Sequence, residues 1–126
     1  TMLPDIVSVS RTGQKIYPMI DDFAQIIGPS VIPVDFNEQP NLSDTTGKVF
    51  NMIKGHDAVM LKDNGALCYG IKESDVDAAV HVMLKNCRAY IASAFFHSGR
   101  PINPLECFLM RFNYLKRYSR KAADNN

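Results

Sequence analysis

Two short apolar runs face each other across a turn in the middle of the chain, and they constrain the fold more than any other feature. Ala58-Val59-Met60-Leu61 reads as a buried strand, Asp63-Asn64-Gly65 as a tight turn, and Ala66 to Ile71 as a returning strand. Asn tolerates, and Gly prefers, the positive φ that such a turn needs. A hairpin makes its two strands antiparallel, which excludes an all-parallel sheet. The segments around it read as helices alternating with short strands. The chain is therefore expected to be an α/β protein with a mixed sheet layered by helices.

Those helices are visible in the apolar spacing. From Pro18 to Ile27, the residues Met19, Ile20, Phe23, Ile26 and Ile27 recur at helical steps until Gly28-Pro29 stops them. Val31 to Phe36 reads as a short strand that Pro33 assigns to an edge. Ser43-Asp44 caps a helix that runs through Val49, Phe50 and Ile53 and ends at Lys54-Gly55. The longest helix begins in a capping-box-like pattern, Ser74 before Asp77. Its apolar face is expected to be Val76, Val80, Met83, Leu84, Cys87, Ile91 and Ala94, and Gly99-Arg100-Pro101 breaks it. A last helix starts at Asn103-Pro104, carries Glu106 in its first turn, and lines up Leu105, Phe108, Leu109, Phe112 and Leu115. The opening stretch, Leu3 to Ser10, fits either of two structures. Ile6, Val7 and Val9 favour a strand, whereas Pro4-Asp5 suits the first turn of a short helix.

At 126 residues, without repeats or a linker, the chain reads as a single domain spanning 1–126. Its apolar share of 46% and charged share of 21% are those of a globular protein. A net charge of +1 gives no global field that would draw nucleic acid or a membrane surface. Cys68, Cys87 and Cys107 are isolated, and they read as reduced, buried thiols of a reducing compartment. No apolar run approaches a membrane span and no leader opens the chain, so a cytoplasmic location is expected. The basic cluster Lys116-Arg117 and Arg120-Lys121 closes a helix, where cations complement the dipole. The regular spacing of Phe108 and Phe112 speaks for core or subunit packing over base stacking. His56, His81 and His97 lack a partner at ligand spacing and read as structural. Asp21-Asp22 opens a helix, where negative charge is favoured anyway.

Several residues fall in a familiar order. Between Asp57 and Ser93 stand Leu61, Asn64-Gly65, Gly70 and Ala78-Ala79; upstream stand Thr12-Gly13, Pro18-Met19, Asp21-Asp22-Phe23 and Ile27-Gly28. This order resembles the C-terminal half of the class II aldolase/adducin family, over about Arg11 to Ser98. In that family a buried strand ends in a short polar step and His-Gly, and a second strand closes on Gly before a long helix. The resemblance implies a three-layer αβα architecture with a mixed, mostly antiparallel sheet, of which this chain is the C-terminal portion. It also implies cleavage or epimerisation of a small sugar phosphate or hydroxy-carbonyl compound. A divalent metal, usually zinc, held by three histidines takes up the charge of an enediolate. Symmetric homo-oligomers, often tetramers, with active sites at subunit borders are implied as well.

The sequence departs from that pattern at two points. Asn64 occupies the position of the third histidine, and an amide oxygen is a poor donor to zinc. The H-x-H strand that supplies the other two ligands is absent. Anchoring on Thr12-Gly13 and Pro18 places it just before Thr1, and a second register would set Ser8-Val9-Ser10 there. The expected site residues are thus Asn64 as the remnant metal position, either at the edge of an active cleft or in a plain turn, and Tyr17. A tyrosine in this link reaches a neighbouring subunit's site as a proton donor in related enzymes; strand-end packing is its other reading. Three functions remain in play: an aldolase-like enzyme completed by further residues, a non-catalytic assembly module like adducin's head domain, and an unrelated α/β binding protein. The third requires that the strands around Asn64-Gly65 not be adjacent antiparallel partners.

Overall fold

The computed structural model describes residues 1–35, 46, 47, 49–51 and 56–124, with side chains as far as Arg117. The opening stretch is a helix, α1, over Pro4–Ser10. Pro4 brings the φ of a first helical turn, Asp5 favours the N-terminal end, and Ile6 and Val9, three residues apart, are buried together. Helical spacing to a core thus outweighs the β propensity of Ile6, Val7 and Val9. α2, Asp21–Ile26, opens on its two acids as expected.

The sheet has the order β1-β2-β3. β2, Ala58–Leu61, and β3, Gly65–Cys68, form the expected hairpin, in register from Ala58↔Cys68 to Leu61↔Gly65. β1, Pro33–Val34, runs parallel to β2, so the sheet is mixed and Pro33 lies on an edge strand. Ile16 and Val31 add an isolated antiparallel bridge. Residues 46, 47 and 49–51 are helical, in agreement with a helix through Val49 and Phe50. Its expected cap at Ser43-Asp44 and its end at Ile53 and Lys54-Gly55 lie outside the described residues, as does Phe36.

α3 spans Glu73–Phe96, and its start is one correction to the sequence reading. The cap is not Ser74 and Asp77: the Asp75 carboxylate accepts from Lys72 N at 3.1 Å, two residues earlier. A second correction concerns its face. The buried residues are Ala79, Val82, Met83, Asn86 and Cys87, while Ile91 and Ala94 are exposed. The face is rotated towards α1 and α2, which pack against it, and it includes a polar Asn86. His97 closes the helix in the left-handed region, at φ 52.

α4 spans Pro104–Asp124, with the Asn103 side chain accepting from Leu105 N at 2.8 Å as its cap. It packs on α2. Cys107 is buried there and Met110, Arg111 and Tyr114 are half-buried. The stripe Leu105, Phe108, Leu109, Phe112 and Leu115 is not in the core; all five side chains are exposed or nearly half so. The core itself joins Ile6 and Val9, Phe23 and Ile27, and Ala79, Met83 and Cys87 to Ala58, Met60 and Ala66 on one sheet face. Val59 points to the opposite face and is buried too.

Candidate functional site

The β2–β3 corner is built on a three-residue loop, Lys62-Asp63-Asn64. Asn64 N donates to Leu61 O at 3.0 Å, and positive φ falls at Asp63 (64°) and Gly65 (98°), not at Asn64. That sign pattern is the type II turn, whose third position takes the left-handed residue. Asn64 is exposed, and its Nδ2 donates to Lys62 O at 3.0 Å. The amide oxygen is the atom this side chain can offer a cation.

Gly65 is locked from several sides. A Cβ there would lie 2.4 Å from Thr1 O. Its N–H donates to Ser10 Oγ at 3.3 Å, and that hydroxyl donates to Val7 O at 2.8 Å. Thr1 and Ala66 exchange two backbone bonds, Thr1 N to Ala66 O at 2.7 Å and Ala66 N to Thr1 O at 3.0 Å. This is an antiparallel strand pair on the outer edge of β3. Ser10 is therefore a buried tie between α1 and the corner, a role its sequence context does not signal. Because Ser8-Val9-Ser10 is helical, it lacks the alternation of a ligand strand, which removes the second register for the H-x-H pair. Lys62 and Asp35 form an ion pair beside the corner.

Tyr17, the other expected site residue, is held by a different element. Its side chain is 40% exposed, with Lys15 Nζ 5.4 Å above its ring. The link that carries it is clamped by Asn86 of α3, which is fully buried. Asn86 Oδ1 accepts from Met19 N at 2.7 Å and its Nδ2 donates to Tyr17 O at 3.1 Å. Both ends of the amide thus serve the backbone on either side of Pro18. The sequence placed position 86 outside the expected apolar face. An asparagine on a helix that otherwise buries Ala79, Val82, Met83 and Cys87 was the available signal.

The histidines hold structural positions. His56 Nδ1 lies 3.0 Å from Ile27 O, and His81 Nδ1 lies 2.9 Å from Asp77 O of its own helix. Among the described residues there is no group of three or more His, Cys, Asp or Glu that could hold a metal ion. The three thiols are not in disulfides, and Cys87 and Cys107 are buried. Burial, and then the Asp5 charge, push the Cys87 thiol up to about 12, so it is inert as a nucleophile at neutral pH. These donors do not fit zinc.

A cavity of about 200 Å³ opens away from the corner, between the end of β3, the start of α3 and α4; Asp57, Tyr69, Gly70, Asp75 and Tyr114 line it. Arg111 stands beside it. Its Nη1 donates to Gln25 O at 2.8 Å, to Ile26 O, and to Asp57 Oδ2 at 3.2 Å. A guanidinium thereby satisfies the last carbonyls of α2. Burial, followed by the Asp57 and Asp75 charges, raises the Tyr114 hydroxyl above its ordinary range.

No protein-family model matches the chain, and no curated protein matches it. A solved structure does. L-fuculose 1-phosphate aldolase shares the fold with a TM-score of 0.77 and 13% identity, over 90% of this chain and 53% of that one. The chain thus spans about half the length of the structure it matches. The adjacent antiparallel strands around Asn64-Gly65 also remove the condition for an unrelated binding protein. At this identity the likeness speaks for architecture alone, one shared with about half of that aldolase.

Proposed function

We propose that this chain is an aldolase-like domain of a protein acting on a small sugar phosphate or hydroxy-carbonyl compound, with the Asn64 corner and the Tyr17 link bordering an active cleft that residues outside this chain complete. One observation carries the reading. Position 64 stands at the tip of an antiparallel hairpin, on a backbone locked at Gly65, within a fold shared with a sugar-phosphate aldolase. The described donors do not fit a divalent cation, so in this reading the histidine pair comes from residues outside this chain. The full three-layer arrangement, a cytoplasmic location and association into tetramers belong to the same reading. Among the described residues, no helix is long and apolar enough to cross a membrane.

The second reading, a non-catalytic assembly module, is favoured by Asn64 itself, because an amide replaces the imidazole. The Asn64→His variant of the longest form of the protein separates the two, by zinc titration calorimetry and a retro-aldol assay. An intact site gains on the order of 100-fold in zinc affinity from one added imidazole. No gain would remove position 64 from any metal site. Carbon–carbon bond cleavage by the unmodified protein that survives chelation would retire the metal-assisted version.

A further inference from the structure

The cavity beside Arg111 combines apolar walls with two carboxylates. Ile26, Ala78 and Leu115 contribute the first, and Asp57 and Asp75 the second. Their placement follows from the chain. Tyr69 N donates to Asp57 O at 2.8 Å, which extends the β2–β3 ladder by one residue and sets the two side chains opposite each other on one face. Asp75 stands in the first turn of α3, where its carboxylate accepts from Lys72 N. Gly70 lets that turn come close: a Cβ there would lie 2.7 Å from Asp75 Cβ and 2.9 Å from Val76 N. Tyr114 enters from α4. Burial, and then the Asp57 and Asp75 charges, raise its hydroxyl, so the fields of both carboxylates converge there.

From this we infer that the cavity is a binding site for a small protonated amine with an apolar body, held by Asp57 and Asp75 and flanked by the Tyr69 and Tyr114 rings. Charge decides the sign. Arg111 offsets one carboxylate through its contact with Asp57 Oδ2 at 3.2 Å, and the other leaves the cavity negative. Among the described residues, no Lys, Arg or His lines it. The start of α3 would by itself favour an anion, but the Asp75 carboxylate already occupies that end. An ammonium group donates to carboxylates and is attracted by aromatic faces within about 6 Å, so this lining serves it twice. Size decides the class. At about 200 Å³ the cavity is smaller than the roughly 300–1,000 Å³ of pockets for drug-sized ligands. It suits a single-ring or short-chain amine and excludes a nucleotide. The inference goes beyond the reaction proposed above and rests on nothing at position 64.

Phenethylammonium is the probe, titrated into the full chain and followed by amide NMR. It is expected to shift the signals of Tyr69, Gly70, Ala78 and Leu115, with a Kd of ~1 mM or below. Phenylethanol, the neutral counterpart, and phenylpropionate, the anionic one, are expected to bind at least ~10-fold more weakly, since each loses the charged donor. Asp75→Asn is expected to weaken amine binding by a similar factor. Because that change also touches the α3 cap, Ala78→Leu is the second variant. It fills the cavity, removes no polar group and keeps high helix propensity, and it is expected to abolish binding while the amide spectrum stays dispersed. No shift at roughly 10 mM amine overturns the inference. Equal affinity for phenylethanol overturns it in favour of a merely apolar cavity, and tighter binding of phenylpropionate overturns the charge argument. Undiminished binding to a folded Ala78→Leu chain places the amine elsewhere and overturns the site.

Discussion

Replacing Asn86 tests how the Tyr17 link is held. In Asn86→Leu the branching and heavy-atom count of the side chain are kept while both hydrogen bonds go: Met19 N loses an acceptor at 2.7 Å and Tyr17 O loses a donor at 3.1 Å. Each stranded backbone group costs ~1–3 kcal/mol, and the new apolar contacts of a buried leucine return part of it. Because the bonds are only part-buried, water reaches some of the exposed side, and the net loss is expected at ~2–4 kcal/mol. Urea unfolding followed by circular dichroism reads this as a fall in midpoint of about 2 M, for an m-value near 1.5 kcal/mol per M. The m-value is expected to stay constant. Asn86→Asp adds a pH-dependent component: the acceptor is kept, but an ionised oxygen faces the Tyr17 carbonyl, so the loss deepens as pH rises. A fall smaller than ~1 kcal/mol for the leucine variant would refute the argument. The link would then be held by its other ties, the Ile16–Val31 bridge and Ile102 N to Pro18 O at 2.8 Å.

Gly65→Ala is expected to cost about 3 kcal/mol or more in the same assay, because the methyl meets Thr1 O and φ is 98°; unchanged stability would show that the Thr1–Ala66 pair is not formed. Arg111→Met is expected to lose ~2–3 kcal/mol through the stranded α2 carbonyls and Asp57, with earlier amide exchange in α4 as the local signature and an unshifted midpoint as the refutation. Cys87 makes stability depend on alkaline pH. Its raised pKa means the contribution is complete below its ordinary value of 9.0 and declines as pH climbs towards about 12. A Cys87→Ala chain is expected to have the flatter curve between those limits, and identical curves would sink the assignment.

The sequence displays the hairpin and both long helices because each is written in local signals: a turn triplet between apolar runs, and caps and breakers around periodic stripes. What packs against each helix is not local. α3 buries Asn86 and Ala79 instead of Ile91 because α1, α2 and the Tyr17 link approach that side, and hydrogen bonding makes a polar residue the right one to bury. The stripe on α4 was legible as apolar, yet periodicity says only that a face will be covered, not by what. Seven residues from Pro4 to Ser10 read two ways, since β-branched side chains at helical spacing satisfy either pattern. At the candidate site, Asn64 is proposed from its order among neighbours. Ser10 is not, because its value lies in reaching a glycine 55 positions away.

The locked corner has an evolutionary consequence. The strain and the buried bonds sit at Asp63, Gly65 and Ser10, while the residue between them contributes an exposed side chain to a backbone others hold in place. Exchanging that one side chain rewrites what the loop presents at almost no thermodynamic cost. Such a position lets a lineage lose a reactive group, drift, and regain it by a single codon change without refolding anything around it.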